Sequence, residues 1–206
     1  MLRRTRCFLP LLVVISASSI QAGIIYSNLG SPETYNPGSW ALNLSEEALA
    51  APFTNSVAAQ LGFVRVPVQN FVPGNLYFLQ VADDNSGLPG TVLESFGSLT
   101  FPADGLVTVT SLSHPNLSPG AVYWVVVGIE ANSQDPRGGW HMQAGATGPV
   151  VGDFAYNSGG TWNQVTNYFP AFRVDSLDTV PEPGTVGLTL LGGLALLVSF
   201  RKRSAR

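Results

Sequence analysis

Oxygen-bearing side chains crowd most densely in the stretch Asp83-Asp84-Asn85-Ser86-Gly87-Leu88-Pro89-Gly90, and Glu94 follows eleven residues after Asp83. That spacing puts carboxylate or amide oxygens at the first, third and twelfth positions of a calcium-binding loop. The fifth position is Gly87, which has no side-chain ligand, and the sixth is Leu88, where the loop's sharp turn needs glycine. The stretch therefore reads as a hairpin turn braced by Asx bonds at Asp84 or Asn85. The two histidines, His114 and His141, are far apart, and neither has a cysteine or a second ligand at metal-binding spacing. No metal and no other cofactor is expected.

Nucleophilic chemistry finds no better support. No serine lies in a nucleophile elbow, and the single cysteine, Cys7, falls in the N-terminal stretch ahead of the apolar run. Glycoside hydrolysis needs only two carboxylates at the right separation, which leaves a glycan-active enzyme as the remotest reading. The expectation is a protein without catalytic residues. Aromatic side chains offer the stronger alternative: Trp40, Trp124, Trp140, Tyr156, Trp162, Tyr168 and Phe169 can supply a platform for sugar rings. Trp124 lies inside an apolar strand and belongs in the core. Trp140 follows Gly138-Gly139 and Trp162 follows Gly159-Gly160, so both adjoin loops and are the candidate sugar-binding residues. Core packing competes for these two as well, because large aromatics contribute much buried area.

The elements that would position such residues have period two, punctuated by Gly, Pro, Asn and Ser. Gly105–Thr110 alternates as a half-buried strand, whereas Asn75–Val81 and Ala121–Val127 are apolar on both faces and predict central strands. Further strands are predicted at Ile24–Tyr26, Ser39–Leu44, Val57–Val66, Thr91–Phe96, Gly139–Gln143, Asp153–Tyr156 and Ala171–Val174. Turns fall at Pro73-Gly74, Gly87–Gly90, Ser118-Pro119-Gly120 and Asn157–Gly160. Only Ser45–Ala51 suggests a helix, with Ser45 as cap and Glu46 and Glu47 in the first turn. The sum is an all-β chain, an antiparallel β-sandwich for which a jelly-roll is one available form.

The chain ends have a different chemistry. Arg3, Arg4 and Arg6 precede an apolar run from Phe8 to Ile15 and a small or polar stretch to Ala22, the order of a signal peptide over residues 1–22 with cleavage after Ala22. Ile20 is bulkier than the small residue usual at its place. At the other end, Pro181-Glu182-Pro183 forms a stiff extended strip. An apolar run over residues 185–200 and the basic tail over residues 201–206 follow it. As a helix the run spans roughly 24 Å, marginal against a hydrocarbon core of about 30 Å. The cluster Arg201, Lys202 and Arg203 would hold the tail on the cytoplasmic side. On residue chemistry alone, a permanent anchor and a temporary membrane handle are equally served.

Between these ends, residues 23–179 make one domain's worth of chain. They hold three arginines, Arg65, Arg137 and Arg173, against twelve carboxylates, a net charge of −9. Such a domain lacks the electrostatic footprint of a nucleic-acid binder and is repelled by anionic headgroups. It contains no cysteine, so hydrophobic burial and not a disulfide framework must hold it together.

Residues 180–206 closely resemble the PEP-CTERM sorting signal of exported proteins of Gram-negative bacteria that make extracellular polysaccharide. The resemblance implies transient recognition by an exosortase, a membrane-embedded cysteine transpeptidase-like enzyme. Pro181, Glu182 and Pro183 would be its recognition strip, residues 185–200 a retention helix, and Arg201, Lys202 and Arg203 the topology determinant. It further implies a chain held in the membrane through its C-terminal helix before processing and then carried to the cell surface or extracellular matrix. The pieces Asp83–Phe96, His114–Trp124 and Gly139-Trp140 look like the choice-of-anchor R domain over roughly residues 50 to 175. That resemblance implies a β-rich extracellular domain and supplies no activity or ligand. The expected role is a non-enzymatic surface protein, with a polysaccharide-binding module as the alternative.

Overall fold

The computed structural model describes residues 23–42, 47–71, 74–100, 104–131, 133, 137–144, 154–166 and 168–177, which form thirteen strands and no helix. The expected signal peptide with its cleavage after Ala22, the Pro181-Glu182-Pro183 strip, the helix over residues 185–200 and the Arg201, Lys202 and Arg203 cluster lie outside the described residues. Among the described residues no helix is long and apolar enough to cross a membrane.

The strands are β1 (Ile24–Ser27), β2 (Tyr35–Leu42), β3 (Ala48–Thr54), β4 (Ala59–Asn70), β5 (Leu76–Asp84), β6 (Pro89–Thr100), β7 (Gly105–Thr110), β8 (Asn116–Leu117), β9 (Val122–Ile129), β10 (Gly138–Gln143), β11 (Phe154–Ser158), β12 (Thr161–Val165) and β13 (Arg173–Ser176). All pair antiparallel in two sheets. One has the order β1-β13-β4-β10-β2, with β7 and β8 also on β4; the other runs β12-β11-β3-β9-β5-β6. The long strand β4 organises the first sheet. Val64 pairs with Val174 of β13 and Val109 of β7, and Val68 with Trp140 of β10 and Gly105 of β7, so β13 and β10 share one edge of β4 and β7 takes the other.

The sheets face each other across one core. From the first sheet come Val64, Val66, Val68, Trp140 and Val174, and from the second Leu49, Phe53, Leu79, Val125 and Val127. Phe172, just ahead of β13, meets Phe53 and Trp140 edge-on, with ring centroids 6.1 and 6.0 Å away. The chain's ends within this structure are stitched together: Ser176 donates its backbone N–H to the Gly23 carbonyl at 2.8 Å, and Gly23 donates to the Ser176 hydroxyl at 3.1 Å.

The helix expected over Ser45–Ala51 is a misreading, because Ala48–Thr54 is β3, paired with β9 and, over Ala48–Ala50, with β11. Ala, Leu and Glu favour helix intrinsically, but an interior strand buried on both faces overrides so weak a preference. Leu49, Ala51 and Phe53 fill the inter-sheet core while Ala48 and Ala50 form part of a second cluster on the opposite face.

Candidate functional site

The second cluster marks an apolar outer face on the six-stranded sheet. In β9, Tyr123, Val125, Val127 and Ile129 point into the inter-sheet core, whereas Trp124 and Val126 point outward with Ala48, Ala50, Ala82 and Ala155. Strand register lays these out in rows. Trp162, Asn157, Ala48, Gly128, Phe78 and Ser98 stand side by side across the six strands. The adjacent row is Gln164, Ala155, Ala50, Val126, Gln80 and Ser95. Small side chains at the middle of both rows and larger ones at the flanks make a trough. Its cavity measures about 440 Å³, floored by Ala48 and Val126 and flanked by Trp162 on one side and Phe78, Gln80 and Ser95 on the other, with Glu130 and Ala131 at one end.

Gly128 shapes the wall. A Cβ there would fall 2.2 Å from Cζ of Phe78, so the bare backbone of β9 is what lets the Phe78 ring lie against the sheet. Trp162 is half-buried on the outer face of β12, an edge strand set by the two-residue Gly159-Gly160 turn, both at positive φ.

The β5–β6 turn closes the trough at the end away from Glu130. Asn85 and Leu88 exchange backbone hydrogen bonds at 2.8 and 3.3 Å, and Leu88 packs onto the outer cluster. Gln164 of β12 donates its side-chain amide to the Gly87 carbonyl at 3.1 Å, tying the turn to the far edge of the sheet. Beneath it, Trp124 donates Nε1–H to Asp84 Oδ1 at 2.8 Å and is buried, as the sequence predicts.

These contacts explain the calcium-like spacing. Asp84 also accepts the Gly87 N–H at 3.1 Å, and Asp83 accepts the Thr91 N–H at 2.5 Å. Glu94 faces elsewhere, accepting from the Ser111 hydroxyl at 2.5 Å and from the Leu112 and Ser113 amides at 2.6 and 3.1 Å. Burial works to raise the Glu94 carboxyl, and these donors outweigh it and hold it below the ordinary carboxylate range. The oxygens are thus committed to protein donors around a turn. His114 Nδ1 lies 3.0 Å from the Leu61 carbonyl, and His141 stacks on Tyr35 with centroids 5.0 Å apart. Among the described residues, no three His, Cys, Asp or Glu side chains gather as a metal site would require.

The two candidate tryptophans separate. Trp140 is fully buried between the sheets, donating Nε1–H to the Ala171 carbonyl at 2.7 Å, so it presents no ring to a ligand and that expectation is corrected. The preceding glycines are strand and not loop. A Cβ on Gly138 would fall 2.4 Å from the Tyr77 hydroxyl, so close packing and not exposure accounts for them. Trp162 does line the trough. The sequence reading missed Phe78, Gln80, Ser95, Asn157 and Glu130; the apolar character of β5 and β9 on both faces signals a covered outer face but singles out none of them.

The electrostatics are one-sided. Arg65 and Arg173 lie on the outer face of the other sheet, both bonded to Glu33, with Arg173 also holding Asp175 at 2.6 Å. No cationic side chain is among the described residues lining the trough, and Glu130 is its one carboxylate.

Beyond the last strand, residues 179–204 match the PEP-CTERM protein-sorting motif. The chain carries that sorting signal. The motif marks an exported protein with a C-terminal sorting signal and implies recognition by an exosortase-type processing enzyme. No curated protein matches the chain. The solved structures to which the chain is similar include two. One holds the cysteine protease and lectin-like domains of Cwp84, a surface layer associated protein of Clostridium difficile, at 14% identity and a TM-score of 0.48, covering 67% of this chain and 36% of that one. The other is a variant of the Clostridial cysteine protease Cwp84 after propeptide cleavage, at 16% identity and a TM-score of 0.48, covering 66% of this chain and 37% of that one. The chain thus spans little more than a third of the length of either structure.

Proposed function

We propose that this exosortase-sorted surface protein binds extracellular polysaccharide in the outer trough of its β-domain and catalyses no reaction. The observation that carries the reading is the placement of Trp162 and Phe78 on opposite flanks of one trough that also presents the amides of Gln80 and Asn157 and the hydroxyl of Ser95. Aromatic faces suit the apolar faces of sugar rings, and neutral amides and hydroxyls suit their rims. Glu130, the one carboxylate among the described lining residues, falls short of the pair that glycoside hydrolysis uses. The resemblance of residues 50 to 175 to choice-of-anchor R domains fits the same role, a surface module attached through a separate C-terminal signal. Before processing, the C-terminal segment would hold the chain in the membrane; afterwards the domain would reside at the cell surface or in the matrix.

The test is retention of the full chain, in a sugar-free detergent, on the host's own polysaccharide. Trp162→Ala should weaken binding about tenfold or more, equivalent to ~1.4 kcal/mol. Retention unchanged in that variant, or absent in the unaltered protein, removes the reading. Mass spectrometry of the mature C-terminus tests the sorting step: a chain intact through Arg206 in cells with active exosortase argues against processing.

A further inference from the structure

We infer that the trough receives the end of an uncharged glycan chain and not its interior or an anionic sugar; the inference rests on the polysaccharide-binding reading above. Three observations meet here.

The first is that the trough is blind. Ala50, Ala82, Ala155 and Trp124 continue the same outward face beyond the cavity but are buried, because the β5–β6 turn lies over them with Leu88 packed down and Gly87 tied to Gln164. A ligand lying in the trough therefore meets a wall on the turn side of Val126 and Gln80. A long polymer threading through would need both ends open. At about 440 Å³ the cavity sits low in the range of roughly 300–1,000 Å³ usual for small-molecule sites, the scale of a short terminal segment.

The second is charge. Among the described residues the lining holds one carboxylate and no cation, and two of the three arginines of residues 23–179 are engaged with Glu33 on the opposite sheet. A uronate or sulfated ring would lose its hydration without gaining a charge partner, a large cost for an ion. An uncharged ring loses only hydrogen bonds that amides and hydroxyls can replace.

The third is the supply of those groups. No described residue takes up the side chains of Gln80 or Ser95, and Asn157 uses its oxygen on the Gly160 N–H at 3.1 Å, leaving its amide hydrogens for an acceptor. Donors and acceptors thus face the trough from both flanks. Ring hydroxyls, which both donate and accept, match that mixture.

Titration calorimetry on the full chain in a sugar-free detergent separates the alternatives. The probes are linear neutral gluco- and manno-oligosaccharides of short, medium and long chain length, with uronic-acid oligomers of matched length. We expect one protein bound per neutral chain at every length, at least tenfold weaker binding of the uronic-acid series, and loss of both heats in Trp162→Ala. A count of bound proteins that rises with chain length overturns the end-on inference while leaving polysaccharide binding intact. Equal affinity for uronic-acid and neutral oligomers overturns the charge argument in the same way. Absence of heat with every probe, together with no retention on the host polysaccharide, overturns the binding reading and this inference with it.

Discussion

Replacing Gly128 by alanine tests how the trough is built. A Cβ at this position would lie 2.2 Å and 2.5 Å from Cζ and Cε1 of Phe78 and 2.7 Å from the Glu47 carbonyl oxygen. The carbonyl is tethered, since it accepts the Ile129 N–H at 3.1 Å. The ring is half-exposed and has somewhere to go, so most of the adjustment must fall on Phe78. Overpacking of this kind costs about 1–3 kcal/mol, partly offset by the roughly 0.4–1 kcal/mol that alanine gains by restricting the unfolded chain. The net expectation is a loss of about 1–2 kcal/mol, a drop of roughly 2–8 °C in Tm for a chain of this size. Urea unfolding should show a lower midpoint at unchanged slope. The decisive comparison is the same substitution in a Phe78→Ala background. With the ring gone, only the carbonyl contact remains, and the cost of Gly128→Ala should shrink by at least 0.5 kcal/mol, the size of coupling expected for touching residues. An equal cost in both backgrounds would refute the claim that the Phe78 ring rests on bare backbone, and with it the stated shape of the trough wall.

Other perturbations probe the surrounding frame. Trp140→Phe removes the Nε1 donor and leaves the buried Ala171 carbonyl without its 2.7 Å partner, so denaturant unfolding should show a loss of about 2–4 kcal/mol while polysaccharide retention by the folded protein is unchanged. Glu94 has a folded-state carboxyl below its ordinary value of 4.5, so its contribution is present above that value and lost as pH falls through the lower, folded one. Glu94→Gln should therefore flatten the decline of stability between neutral pH and pH values below 4.5, by about 1–2 kcal/mol for loss of the charge-assisted bonds. Asp175 acts in the opposite sense, because burial raises its carboxyl in spite of Arg173, and the measurement is accordingly the difference between variant and unaltered curves.

Much of the fold was legible because strand period and turn chemistry are local. Gly105–Thr110 is a strand with the predicted bounds, and the Asn157–Gly160 turn joins β11 to β12. The two segments apolar on both faces became β5 and β9, each flanked by two strands. Reading failed where identity depends on partners far away in the chain. Ala48–Ala51 is strand only because β9 and β11 enclose it, and Trp140 is interior because β2 and β4 flank β10 and Phe172 and the Ala171 carbonyl meet its indole. The trough was illegible for the same reason. Trp162, Asn157 and Phe78 come together through four successive pairings across the intervening strands β11, β3 and β9, and no spacing along the sequence encodes that row.

The bonds between Gly23 and Ser176 set a tether length. From Ser176 to Pro181 there are five residues, which fully extended reach at most about 18 Å. An enzyme gripping the Pro-Glu-Pro strip must therefore work within reach of the edge formed by β1 and β13, so the bulk of the folded domain becomes part of what its cleft has to admit.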